Sequence, residues 1–130
     1  MASIFSKIVN GEIPCHKIME DDRFLAFLDV FPLVKGHTLV IPKTETDYIF
    51  DIDDNTLGDM FVFAKKVAAA IRKAYPCPKV GVSVIGLEVA HAHIHLIPMH
   101  DVSDINFSRP KLKPSKEELE EAAAVIRSFL

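Results

Sequence analysis

The sequence predicts one α+β domain built on a sheet of about five strands, largely antiparallel, with two main helices. Three observations carry that prediction. The chain has 130 residues, the span of a single domain, so residues 1–130 are read as one unit. Apolar residues make up 49% and charged residues 25%, which lets a chain of this length bury a core without staples. Strand-type runs outnumber helical ones and follow one another at hairpin-like distances, the habit of antiparallel sheets.

The elements are justified in chain order. Ile4, Phe5, Ile8 and Val9 recur at helical spacing between Ser3 and Asn10, and Gly11 closes this short helix. Pro14 opens an extended stretch through Ile18 and Met19. The acidic turn Glu20-Asp21-Asp22 follows, and Arg23 to Val30 reads as the second arm of a hairpin. Phe31 to Gly36 is a loop by its Pro32 and Gly36. His37 to Ile41 is an apolar, β-branched strand that Pro42 ends. A long helix begins at Asp53, Asp54 or Asn55, with Leu57, Met60, Phe61, Ala64, Val67, Ala68 and Ile71 as its apolar stripe. Val62 and Phe63 fall nearly opposite that face, Arg72 and Lys73 suit the C-terminal end, and Pro76-Cys77-Pro78 stops the helix. A stripe this wide suits either a sheet on one side and a partner subunit on the other, or a crowded core. Val80 to Ile85 and Val89 to Ile97 read as strands parted by Gly86, and Met99 to Pro114 is irregular. Ser115 and Glu118 form a capping box for a last helix with Leu119, Ala122, Ala123, Ile126 and Phe129 on its apolar side.

Composition argues against several functions. Lys and Arg number 15 against 18 Asp and Glu, a net charge of −3 without runs of like charge, which is unlike a non-specific nucleic-acid binder. No apolar stretch approaches the ~20 residues of a membrane span. Met1 to Pro14 lacks the basic and apolar regions of a signal peptide, so a cytoplasmic chain without nucleic-acid or membrane partners is expected. Cys15 and Cys77 stand outside any Cys-x-x-Cys pair and read as reduced, partly buried thiols.

Histidine is the exception to this plain composition, with six in all and three within five positions. A strand repeats every two residues, so His91, His93 and His95 project from one face at roughly 6–7 Å intervals. Ala92, Ile94 and Leu96 project from the other face, which suits packing against a helix. Packing gives no reason for the histidines. Three solvated polar residues on an open sheet face account for them less well than either of two chemistries. One is a metal held by two of the imidazoles and a ligand from elsewhere. The other is nucleophilic attack by one imidazole, whose neighbours fix its tautomer, supply charge and protonate the leaving group.

The string His91-Ala92-His93-Ile94-His95-Leu96-Ile97-Pro98 resembles the histidine triad (HIT) motif, His-φ-His-φ-His-φ-φ with φ apolar. The segment IFSKIVNGEIPCHKIMEDDRFLAFLDVFPLVKGHTLVIPK is similar to the opening of the Hint-type branch, carrying KI-x-x-GEIP, EDD, LAF-x-D and GHTLVIPK in order. The resemblance implies a HIT-like fold, usually dimeric. It also implies a hydrolase or nucleotidyl transferase that cleaves at the α-phosphate of purine nucleotide phosphoramidates or dinucleoside polyphosphates through a nucleotidyl-histidine intermediate. His93 matches the family's nucleophile. His91, His95 and His37 match the groups that hold its tautomer, contact phosphate oxygens and assist the leaving group. Phe5, Ile8, Ile13 and Phe27 match residues that clasp the base, Asp29 matches the acid on the ribose hydroxyls, and Val30 follows it against the sugar. No cofactor is implied; an AMP-like ligand and a second copy of the chain are the expected partners.

Two departures from the family pattern stand out. Many relatives hold a structural zinc through a Cys-x-x-Cys at the first helix and a histidine past the VIPK strand. Here those positions are Ser3, Ser6 and Glu45, so no metal is expected there. Relatives also carry a Gly-rich loop and Gly-Gln-Ser/Thr before the triad as phosphate contacts. This chain has Ser83-Val84-Ile85-Gly86-Leu87-Glu88-Val89, which sets Glu88 in the nucleotide site where a hydroxyl is common. An acid there repels phosphate unless it turns away or bonds a histidine. That departure motivates an alternative, a nucleotide-binding or interaction module with weak or no catalysis.

Overall fold

A five-stranded sheet in the order β1-β2-β3-β5-β4, antiparallel at every pairing, organises the computed structural model, which describes residues 2–130. The strands are β1 (Lys17–Glu20), β2 (Phe24–Leu28), β3 (Thr38–Pro42), β4 (Lys79–Ser83) and β5 (Ile94–Met99). The helices are α1 (Ile4–Val9), α2 (Asp54–Ala74) and α3 (Lys116–Arg127). Short turns of 3-10 helix lie at Ile49–Asp51 and Val102–Ile105. This is the α+β architecture the sequence predicts. Asp53 caps α2 by accepting from the Thr56 amide, and Ser115 and Glu118 close the predicted capping box on α3. Among the described residues no helix is long and apolar enough to cross a membrane.

The sheet buries both faces, and that places the site. Phe24, Ala26, Leu28, Val40, Ile94 and Leu96 pack against α2 and α3. Leu25, Phe27, Leu39 and Ile41 point the other way and pack under Phe5 of α1, with Ile8, Val9, Cys15 and Val89 around them. The large helices cover one face; the small helix and a loop cover the other.

Several boundaries and faces differ from the sequence reading, each for a physical reason. Phe63, not Phe61, belongs to the buried stripe of α2. It lies one turn from Met60 and Val67 and packs its ring on Phe24 at 5.6 Å, while Phe61 and Val62 are exposed. Phe129 falls past the last turn of α3 and is exposed. β4 stops at Ser83, leaving Val84 and Ile85 outside the sheet. β5 begins only at Ile94, because the preceding backbone is drawn off the ladder. The His91 amide donates to the Val89 carbonyl (2.8 Å) and the Ala92 amide to the Thr46 carbonyl (2.6 Å). At its other end β5 runs through Pro98, which lies opposite Val80 but beyond the last β3–β5 pair.

Candidate active site

The geometry starts at Gly36, whose positive φ of 92° is open to glycine and whose added Cβ would meet the Tyr75 ring at 2.8 Å. That tight turn delivers His37 to the start of β3 and beside Asp29 at the end of β2, where the Asp29 amide donates to the His37 carbonyl (3.1 Å). His37 and His95 are both buried. The Leu33 amide donates to His37 Nδ1 (3.0 Å), so that nitrogen carries a lone pair and the proton sits on Nε2. His37 Nε2 lies 2.9 Å from His95 Nδ1 and donates to it. His95 therefore holds its own proton on Nε2, the nitrogen that His37 does not touch. Burial, reinforced by nearby positive charge, holds His37 down at about 4 and His95 at about 3, so both are neutral at pH 7.

The other two histidines are fixed by a second set of bonds. His93 Nδ1 donates to the His91 carbonyl at 2.7 Å. Its lone pair is thereby assigned to Nε2, and the residue is buried to the same extent as His95, each 7% exposed. His91 is buried and uses both nitrogens: Nε2 donates to the Pro42 carbonyl (2.8 Å), and Nδ1 accepts from the Ser3 hydroxyl (2.8 Å). Burial lowers its pKa as well. The four histidines thus divide. His91 is a spacer whose carbonyl aims His93, while His93 and His95 present one lone pair and one N–H on the nitrogens left unbonded. Their rings stand 4.9 Å apart.

Ser3, Ser6 and Glu45 gather around His91, but their chemistry does not fit a structural zinc. Glu45 accepts from the Ser3 amide (2.6 Å) and the Ser6 hydroxyl (2.8 Å), bonds that hold its carboxyl down at about 2. Ser3 Oγ also accepts from the Ser6 amide (3.0 Å), capping α1. Two neutral hydroxyls already bonded to a carboxylate and an imidazole replace the thiolates such a site needs. The network instead pins α1 to the triad by hydrogen bonds. A second donor set, Asp29, His37 and His95, brings ligand-type atoms within 4.8 Å of one another. There the two facing nitrogens are spent on each other, one as donor and one as acceptor, which is a proton-holding arrangement rather than a cation cage.

The predicted nucleotide residues are partly gathered. Phe5 stands edge-on to Phe27 (5.7 Å), His91 (5.8 Å) and His93 (5.0 Å), and Ile8 packs beside them. Ile13 is half-buried just past α1. Asp29 accepts from the Phe31 amide through Oδ1 (2.9 Å), and its Oδ2 lies 3.7 Å from His37 Nε2, too far for a good hydrogen bond. Burial raises its pKa. Val30 is 45% exposed. Glu88 is exposed and lines a hollow with Ser3, Ile4 and Glu45; it bonds none of the four histidines. Sequence reasoning missed Phe107, whose ring stands edge-on to His95 at 4.7 Å, and Lys111, which lies over it. Both sit in an irregular stretch where no period marks a buried face.

Comparison with known proteins agrees with the fold. The family model for the HIT domain matches residues 10–102, well over half the chain. Adenosine 5'-monophosphoramidase hnt1 of Schizosaccharomyces pombe is 40% identical over 99 residues, covering 75% of this chain and 74% of that protein. Two solved structures superpose closely. A Hit-like protein involved in cell-cycle regulation from Bartonella henselae has a TM-score of 0.85 at 34% identity, over 98% of this chain and 96% of that one. A Zn-bound histidine triad family protein from Mycobacterium smegmatis has a TM-score of 0.80 at 29% identity, over 99% and 93%. With the motif, the fold and the sequence relatives in agreement, the chain belongs to the histidine triad (HIT) family.

Proposed function

We propose that the chain is a nucleotide hydrolase in which His93 attacks the α-phosphorus of a purine nucleotide phosphoramidate or dinucleoside polyphosphate. The observation that carries the reading is the His93 Nδ1 bond to the His91 carbonyl, which leaves Nε2 with an in-plane lone pair and no hydrogen-bond partner among the described residues. That lone pair forms an N–P bond as the bond to the leaving amine or phosphate oxygen breaks. The leaving group departs with a proton taken from solvent, while the neutral His95 donates its Nε2–H as a hydrogen bond to a phosphate oxygen. Water then attacks phosphorus and gives up its proton to solvent, Nε2 leaves with its electron pair, and nucleoside monophosphate is released. His37 keeps His95 in the donating tautomer, and His91 keeps His93 in the attacking one. Phe5 and Phe27 offer a base an apolar clasp, and Asp29 Oδ2 faces the site for ribose hydroxyls. Two yeast relatives named as adenosine 5'-monophosphoramidases support the substrate class.

The exposed acid and the 90% exposed Leu87 before the triad favour a second reading, nucleotide binding with little turnover. Incubation with a labelled adenosine phosphoramidate, acid-free quenching and peptide mapping separates the two. A nucleotidyl adduct on His93 supports the hydrolase; AMP binding without adduct or turnover favours the module.

The same reading includes a homodimer. β4 is an edge strand, and beside it Tyr48, Phe50, Phe61, Ile85 and Leu87 surround a hollow of about 550 Å³. An apolar group of this size next to an unpaired ladder suits a second copy continuing the sheet. Sedimentation at micromolar concentration tests it: a dimer that Leu87→Asp dissociates supports the arrangement, and a monomeric wild type removes it.

A further inference from the structure

Residues 106–112 cross the mouth of the histidine cluster as a strap. It is anchored to the loop between Asp29 and His37 at two points. Arg109 Nη2 donates to the Leu33 carbonyl (3.3 Å), and the Leu112 amide donates to the Pro32 carbonyl (2.9 Å). Between them the Phe107 ring leans edge-on against His95 at 4.7 Å and His37 at 6.1 Å. Lys111 folds back over that ring, its Nζ 5.9 Å from the centroid, and donates to the Phe107 and Arg109 carbonyls. Its charge reaches the cluster: it favours the ionised form of Asp29 and disfavours the charged form of His37.

A phosphate seated at His93 needs a positive charge that the buried pair His37 and His95 does not supply. His37 and His95 are neutral at pH 7, so they offer N–H dipoles only. Asp29 and Glu88 add negative charge to the surroundings. Arg109 is committed to the Ser103 carbonyl, Asp104 and the Leu33 carbonyl. Lys111 is exposed, and its hydrogen bonds go to main-chain carbonyls alone, partners it can exchange for a phosphate oxygen at little cost.

We propose that Lys111 is the phosphate-binding cation of this site, leaving the Phe107 and Arg109 carbonyls to pair with phosphate oxygens of a nucleotide held at Asp29 and His93. The inference rests on the nucleotide reading and adds to it the source of the charge, carried on a strap that Phe107 holds against His95. A charge-assisted bond to phosphate is worth about tenfold or more in affinity. Calorimetry of wild type, Lys111→Met and Lys111→Arg with AMP, adenosine and pyrophosphate tests it. Lys111→Met is expected to weaken AMP about tenfold, leave adenosine unchanged and flatten the salt dependence, while Lys111→Arg restores AMP binding. Equal loss of AMP and adenosine makes the strap a mere wall and overturns the proposal, as does unchanged AMP binding in Lys111→Met. A His93 adduct with no effect of Lys111→Met leaves the hydrolase standing and removes this inference. Pyrophosphate binding through Lys111 without AMP binding keeps the cation site and removes the nucleotide reading. Binding of none of the three probes by wild type removes both.

Discussion

Ala92, Ile94 and Leu96 alternate with His91, His93 and His95 along one short stretch, yet the two sets are held in different ways. The apolar three are buried against α2 and α3 by packing alone, which has no preferred direction and asks only for fitting volume. The histidines on the other side are held by bonds with a sense, donor to acceptor: Ser3 to His91, His93 to the His91 carbonyl, Leu33 to His37 and His37 to His95. On that side a nitrogen of the right kind in the wrong tautomer is useless. The contrast teaches that stability and chemistry here are supplied by opposite faces of the same stretch, so substitutions one residue apart should fail in different assays.

The sharpest separation is at His93. His93→Ala is expected to lower single-turnover cleavage of adenosine phosphoramidate by about 10⁴-fold or more, while the variant stays folded and still binds AMP. Ile94→Ala next door removes a fully buried side chain and is expected to cost about 2–4 kcal/mol in urea denaturation. The folded fraction of Ile94→Ala should turn over within about twofold of wild type, since the position bears on packing alone. A large loss of turnover in folded Ile94→Ala, or unfolding of His93→Ala, would break the comparison.

The same division explains what could be seen in advance. The packed side was legible because burial imposes a period: Met60, Val67 and Ile71 on α2, Ala92 just before β5, and Ile94 and Leu96 within it all lie where spacing puts them. Spacing erred where two aromatic residues competed near one stripe, and the ring with a partner on β2, Phe63, took the buried place. The strand limits around the triad were missed because the bonds that end β5 run to Val89 and Thr46, partners with no mark in the local pattern. The histidines themselves could be singled out, and the resemblance names His93 as the nucleophile, but not which bond holds each of the other three. That depends on a main-chain amide at Leu33 and a carbonyl at Pro42, groups every residue has. Phe107 and Lys111 are legible only in three dimensions, since the strap that carries them has no period at all.

Acid should weaken the directed side first. Above about pH 6.5 His37 and His95 are neutral in both the folded and the unfolded chain, so they make stability no function of pH there. Below that value the unfolded chain takes up protons that the folded one refuses until about 4 at His37 and about 3 at His95. Stability therefore falls as pH falls, by about 2 kcal/mol from the two residues between pH 6.5 and 5.5. Asp29, with its pKa raised by burial, works in the opposite sense. Denaturant melts across pH 8 to 5 read the slope, and His37→Asn should reduce it. A slope unchanged by that substitution would move the acid sensitivity elsewhere.

The smallest expected effect tests whether the directed side depends on α1. Ser3 caps that helix and gives its hydroxyl proton to His91 Nδ1. Ser3→Ala removes both interactions and leaves a buried imidazole nitrogen without its donor, at a cost of about 1 kcal/mol. If α1 were only a lid over Phe27, that loss would appear in stability and in affinity for the base, because Phe5 would sit less firmly. The hydrogen-bond chain predicts more: His91 freed at Nδ1 can take the other tautomer and turn from Pro42, which shifts the carbonyl that aims His93. Turnover of bound substrate should then fall several-fold with AMP affinity little changed, and Ser3→Thr, which keeps the hydroxyl, should restore it. A Ser3→Ala variant that loses affinity but not turnover would show that α1 serves the base alone and that His91 is held well enough by Pro42.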